Sequence, residues 1–306
     1  MSRTTTAAAA FALVGALSLS ACGGGGPDPL ATSSSGSAQG GGGEVVVGSA
    51  DFSESILLAH IYAGALEADG VNATTRTNIG SREIYLKALE DGSVDVMPEY
   101  TGALAVYYDK TFSETDPEKV YSGLQKELPE GLTVLEKSAA EDKDSIAVSR
   151  KTADEKNLTT IDDLEPVAGE LTLGAPSEFQ NREQGVKGLK SQYGVEFGQF
   201  RALKGAALVN ALKNGQVHAA NLFSTDPNIA ANDFVVLEDE KNLFGSQNVV
   251  PLVTTVVEEQ VSPSLNKVSK ALTTEKLTAM LQKTDIDKED PEKVADEFLE
   301  DEGITS

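Results

Sequence analysis

From Glu44 onward, short β-branched runs alternate with apolar residues at helical spacing, in two successive series of similar size. The first series predicts strands over 45–47, 72–79, 94–97 and 132–135, with helices over 53–68 and 82–90 between them. In the helix over 53–68, Ile56, Leu57, Ile61, Ala65 and Leu66 fall on one face. Pro98 closes the strand over 94–97, and Asp91-Gly92 stops the preceding helix. A further strand is predicted over 146–149, and the second series then predicts strands over 171–173, 198–203, 217–223, 234–237 and 249–253, with helices over 184–193 and 206–214. Helical stretches near 265–272, 274–281 and 291–301 end the chain. Strand alternating with helix implies an α/β fold in which each sheet is mostly parallel and flanked by helices. The body exceeds a comfortable single core, so two lobes are expected. The chain should cross between them near 144–147 and return near 248–250. Lobe 1 is then 44–143 plus 251–306, and lobe 2 is 144–250. Ligands of such folds sit beyond the carboxyl ends of the strands, here between the lobes.

Residues 1–22 have a different character. Arg3 gives a basic start, residues 7–17 form an apolar run short for a bilayer span, and small residues follow. This is a secretory signal pattern, set aside before reasoning about the fold. Its end, Leu19-Ser20-Ala21-Cys22, resembles a bacterial lipobox, in which Cys22 becomes the lipidated first residue of the mature protein. Residues 23–43 are nearly all Gly, Ser, Ala and Pro, a composition that buries too little apolar surface to offset ordering entropy. They read as a flexible tether. The expected location is extracytoplasmic, lipid-anchored to the cell membrane of a bacterium. A tethered domain at a membrane favours a receptor over a free secreted enzyme.

Composition removes other classes. Lys+Arg 25 against Asp+Glu 48 gives a net charge of −23, unsuited to binding nucleic acid. A single cysteine and two histidines, His60 and His218, leave little for a disulfide or a zinc site, and no metal or cofactor is expected. The sequence has no G-x-S-x-G elbow, P-loop or H-E-x-x-H motif. Acid groups such as Asp95/Glu99 could do acid–base work, but in so acidic a chain a solvated surface is the simpler reading.

Five segments at predicted strand ends are more specific: Gly48-Ser-Ala-Asp-Phe-Ser-Glu, Asn78-Ile-Gly-Ser-Arg-Glu, Asp95-Val-Met-Pro-Glu-Tyr-Thr-Gly, Ser177-Glu-Phe-Gln-Asn-Arg and Phe223-Ser-Thr-Asp-Pro. With VVVGSADFSES, SVDVMPEYTG, ALKNGQVHAA and FSTDP, the chain over 44–306 resembles the substrate-binding lipoproteins of ABC importers for osmoprotectants such as glycine betaine and choline. The resemblance implies a two-lobed clamp of the type II periplasmic-binding-protein class. It also implies an aromatic cage for a trimethylammonium group and polar or basic donors for a carboxylate. A quaternary ammonium has no N–H to donate, so ring faces are its best partners.

Carried over by residue, Tyr100 in PEYTG matches a cage tyrosine, Phe223 another cage position, and Arg182 in SEFQNR a carboxylate-binding arginine. The chain departs from the pattern elsewhere. Asp144 and Val209 stand where rings are expected, Ala103 replaces a threonine, and Asp51 or Ala50 falls where some members carry lysine. The expected site comprises Asp51, Phe52, Ser81, Arg82, Glu83, Tyr100, Thr101, Asp144, Glu178, Arg182, Phe223, Thr225 and Asn248. Ser81 could instead be a helix N-cap, and Arg182 could pair with Glu178 or Glu183. Tyr100 and Phe223 should face each other across the cleft. The departures predict charge recognition in place of part of the cage, hence a cationic solute. The resemblance further implies a monomer that binds a small quaternary amine or betaine and delivers it to an ABC permease without chemistry. Alternatives are a receptor for another cation, such as ergothioneine or carnitine, or a small-metabolite enzyme in the same cleft.

Overall fold

The computed structural model describes residues 43–305. Cys22, the expected signal and all but the last residue of the expected tether lie outside the described residues. The chain begins β1 (Val45–Gly48), α1 (Ser53–Ala68), β2 (Ala73–Arg76), α2 (Arg82–Glu90), β3 (Val96–Tyr100), α3 (Thr101–Tyr108), α4 (Pro117–Glu127) and β4 (Leu132–Val134). It continues with β5 (Asp144–Ser149), α5 (Arg150–Lys156), β6 (Thr172–Ala175), α6 (Val186–Tyr193), β7 (Gln199–Ala202), α7 (Gly205–Lys213), β8 (Ala219–Phe223), α8 (Asn228–Ala231) and β9 (Phe234–Val236). It ends with β10 (Val249–Thr254), α9 (Glu258–Ala271), α10 (Thr274–Leu281) and α11 (Pro291–Asp301).

The strands form two five-stranded sheets, β2-β1-β3-β10-β4 and β7-β6-β8-β5-β9. The two orders are the same pattern. In each, one strand runs against the others: β10 is antiparallel to both β3 and β4, and β5 to both β8 and β9. The remaining pairings are parallel, joined by helical crossovers as parallel strands require. The contrary strand of each sheet is the one the chain enters on crossing from the other lobe.

Strand pleat sends alternate side chains to opposite faces. In β10, Val249 and Val253 pack with α1, α9, α10 and α11, while Val250 and Leu252 pack with α2, α3 and α4. In β3, Val96 and Tyr100 share the first face and Met97 the second. The second sheet is covered in the same way, Ile146 and Val148 facing the α6 side and Ala147 the α7 side.

Three expectations are corrected. The strand over 94–97 is in fact Val96–Tyr100 and runs through Pro98, which faces Pro251 across the antiparallel pair. Neither proline has an N–H, so this must be a non-hydrogen-bonded pair, and the Pro251 carbonyl turns the other way to accept from Leu135 N at 3.0 Å. The crossing lies ahead of 144–147, because Asp144 already begins β5. Its segment is laced to the returning chain by a bridge between Glu141 and Asn248 and by Asp142 N to Gln247 O at 3.0 Å. Finally, α3, α4 and α5 were not anticipated. The α4 start was signalled by Asp116-Pro117, since Asp116 accepts from Glu118 N and Lys119 N at 3.1 Å.

Gly102, in the first turn of α3, touches the returning segment. A Cβ there would fall on the carbonyl oxygen of Ser246. Its absence lets α3 lie directly on the crossing, where Ala103 N donates to Gln247 Oε1 at 2.8 Å.

Candidate functional site

Between the sheets lies a cavity of about 840 Å³, adjoined by a second of about 520 Å³; Ser81, Arg82, Ala103, Asp144, Glu178 and Arg182 line both. Its walls are strand ends and the first turns of helices, where a two-lobed α/β fold leaves backbone groups free for a ligand.

Three rings gather in the larger chamber. Phe52 precedes α1, Tyr100 ends β3 and Phe223 ends β8. Phe52 lies between the other two, its centroid 6.3 Å from that of Tyr100 and 5.2 Å from that of Phe223. Tyr100 and Phe223 therefore do not face each other directly as expected; Phe52 intervenes. Tyr100 is also less free than a cage ring, because its hydroxyl donates to Glu54 Oε1 at 2.6 Å.

Carboxylates surround the rings. Asp144 pairs in register with Phe223 and accepts from Asn221 Nδ2 at 2.8 Å. Burial raises its pKa, against the pull of the Asn221 hydrogen bond and the charges of Arg182 and Arg82. Glu54, in the first turn of α1, is buried and pushed up to about 7, chiefly by desolvation. Asp142 is likewise buried and raised, by desolvation and then by the Glu54 charge. Sequence reasoning missed both. Glu54 stands within the DFSES segment and Asp142 two residues before Asp144, but nothing in either spacing shows burial.

Arg82 is committed elsewhere. Its Nε and Nη2 meet Glu99 Oε1 and Oε2 at 2.8 and 2.9 Å, with Tyr85 Oη and Tyr100 N also donating to Glu99 at 2.5 and 2.8 Å. The guanidinium borders the cavity with its fork already filled. Arg182 is looser. It reaches Glu83 Oε1 at 3.4 Å across the lobes, rather than Glu178 or Glu183. Burial opposes ionisation of Glu83, but the Ser81 hydroxyl at 2.6 Å and the Arg182 charge hold it at about 2. Ser81 stands at the α2 N-cap position without a side-chain cap bond. Asp51 is ion-paired with Lys204 of the other lobe, so it is not an uncompensated charge awaiting a ligand.

Of the remaining expected residues, Glu178 lines both chambers, and Thr225 lines the larger with Val209 and Ala103. Thr101 and Asn248 do not border the cavity. Both are buried, and Thr101 Oγ1 accepts from Asn248 N at 3.1 Å while Asn248 Nδ2 donates to Ser138 O at 3.0 Å. They fasten the returning segment to α3.

Comparisons with known proteins identify the family. The model of the OpuAC family, the substrate binding domain of ABC-type glycine betaine transport systems, matches residues 43–301. The carnitine transport binding protein OpuCC of Listeria monocytogenes is 28% identical over 262 residues, covering 83% of this chain and 85% of that one. A glycine-betaine-binding protein of Pseudomonas aeruginosa is 26% identical over 268 residues, covering 83% and 86%. The crystal structure of a glycine betaine/carnitine/choline ABC transporter superposes with a TM-score of 0.67 at 26% identity, covering 85% of this chain and 99% of that one. The chain belongs to the OpuAC family and is a substrate-binding protein of an ABC importer.

Proposed function

We propose that the protein captures a small cationic solute of the quaternary-ammonium class between its lobes and delivers it to the importer's permease, without chemistry of its own. One observation supports this most: the Phe52, Tyr100 and Phe223 rings line one cavity with half-buried Asp144, whose charge is only partly matched. Ring faces attract a cation that has no N–H, each by roughly 0.5–2 kcal/mol. A desolvated carboxylate adds attraction for positive charge and repels the carboxylate of a compact zwitterion. With Asp51 neutralised by Lys204, this discrimination falls to Asp144. Arg182 and the second chamber favour a solute whose own carboxylate, where present, lies well away from its ammonium, as in carnitine.

In this reading the lobes are 44–143 with 249–306 and 144–248, the return falling two residues earlier than expected because β10 begins at Val249 in the first sheet, the protein acts as a monomer, and Cys22 carries a lipid that holds it at the outer face of the membrane. Cell fractionation of Cys22→Ser checks the anchor: the variant should leave the membrane fraction. Calorimetry with choline, carnitine and glycine betaine checks the site. Choline or carnitine should bind more tightly than glycine betaine, and Asp144→Asn should weaken choline about tenfold or more. Tightest binding to glycine betaine, unchanged or improved in Asp144→Asn, sinks the charge-recognition reading.

A further inference from the structure

One hydroxyl at the meeting of the lobes serves two carboxylates. Thr225 Oγ1 lies 2.7 Å from Glu54 Oε2 and 2.8 Å from Asp142 Oδ1. A hydroxyl has one proton, so it can donate to only one of them. The other donors are already placed. Tyr100 Oη gives its proton to Glu54 Oε1 at 2.6 Å, while Thr225 N and Ser224 Oγ point to Asp142 Oδ1 at 3.1 and 3.3 Å. Asp142 Oδ2 is buried with no hydrogen-bond partner among the described residues. Glu54 is 3% exposed and Asp142 2%, and no ion pair reaches either among the described residues.

The charges that face the pair do not neutralise it. From the helical turn after α10, Asp285, bound to the Ser53 hydroxyl at 2.8 Å, adds negative potential at Glu54, and Asp144 of β5 does so at Asp142. Asp226, beside Thr225, is bonded by Asn228, and Lys204 is taken by Asp51. Lys288 stands at the cavity margin without an ion-pair partner among the described residues. Two ionised carboxylates so placed would leave one acceptor empty and repel each other in a low dielectric.

We propose that the closed clamp holds one extra proton shared by Glu54 and Asp142, so that lobe closure takes up a proton from solvent. The cluster is a closure contact, because Glu54 and Tyr100 belong to the first lobe, Asp142 to the crossing segment, and Thr225, whose hydroxyl reaches both carboxylates, to the second. Glu54 and Asp142 are thus positioning residues: they set how readily the rings come together around a ligand. Opening the lobes hydrates both carboxyls and returns them to the ordinary range near 4. Closing raises them, Glu54 to about 7. A group raised in the closed form favours closure fully below its open value and ceases to as pH rises through its closed value. The closed-to-open ratio therefore falls by up to tenfold per pH unit between about 4 and about 7, then levels off.

The inference rests on the clamp reading but not on the ligand, so its test uses none. Electron–electron spin distances would be measured between labels at Lys126→Cys and Glu155→Cys, exposed positions in opposite lobes, in a Cys22→Ser background. The short-distance population should dominate at pH 5 and decline by pH 8. In Glu54→Gln, or in Asp142→Asn where the first does not fold, the short population should persist at pH 8, since an amide donates the hydrogen that the proton supplied. A distance distribution unchanged between pH 5 and pH 8 in the parent, or a pH response retained in full by both variants, overturns the proposal. Failure here with selective cation binding intact would leave the proposed function standing.

Discussion

The ring of Phe52 lies 5.2 Å from that of Phe223, and the two residues belong to opposite lobes. Their contact exists only while the lobes are together. Phe52 is stacked on Tyr100 at the same time, so a ring placed just before α1 joins the end of β3 to the end of β8. The arrangement makes closure and ring assembly one event.

Phe52→Ala should consequently weaken solute binding by about 1–2 kcal/mol, the loss of one ring face and of an aromatic pair. Phe52→Tyr should retain most of the affinity. Because Phe52 is only partly buried and ends no strand, the thermal midpoint should shift little. Calorimetry with choline and a melting curve separate the two effects. Unchanged affinity in Phe52→Ala would remove the ring from the site.

Local periodicity carried much of the fold. The spacing of Ile56, Leu57, Ile61, Ala65 and Leu66 located α1, and the repeated strand–helix order located both sheets. Pairings between distant segments were not legible. Asp51 read as a charge available to a ligand because Lys204 is far along the chain. Arg82 and Glu99 both stood in flagged segments, yet each looked free until α2 was seen packed over β3. Pleat also decides matters that a motif conceals: in PEYTG, Glu99 and Tyr100 point to opposite faces, one to Arg82 and the other to Glu54. Thr101, next in line, turns into the crossing instead of the cavity.

Gly102 fixes how closely α3 meets the returning segment. Gly102→Ala places a methyl against the Ser246 carbonyl oxygen, a backbone atom that cannot rotate away, and near Gln247 Nε2 at 3.0 Å. The helix or the crossing must shift. The expected loss is about 1–3 kcal/mol, in the range of other overpacking changes and despite the better helix propensity of alanine. Denaturant unfolding would measure it, and a variant as stable as the parent would show that the crossing yields easily.

The Arg82–Glu99 pair should behave as a unit. Glu99 is fully buried and receives four hydrogen bonds, from Arg82 Nε, Arg82 Nη2, Tyr85 Oη and Tyr100 N. Glu99→Ala therefore leaves a buried guanidinium without its counter-charge and Tyr85 without its acceptor. A broken buried pair costs about 3–5 kcal/mol, mostly from the stranded charge, which corresponds to a fall in melting temperature on the order of 10 °C. Removing both charges relieves that penalty, so the double variant Arg82→Met, Glu99→Met should lose less stability than Glu99→Ala alone. The same comparison also concerns binding. If Arg82 serves only to hold β3 against α2, the double variant should bind choline as the parent does. If the guanidinium also shapes the cavity it borders, affinity should fall even where stability recovers. Melting curves and calorimetry on the parent, Glu99→Ala and the double variant distinguish the two. A double variant less stable than Glu99→Ala would show that the pair contributes more than its mutual neutralisation.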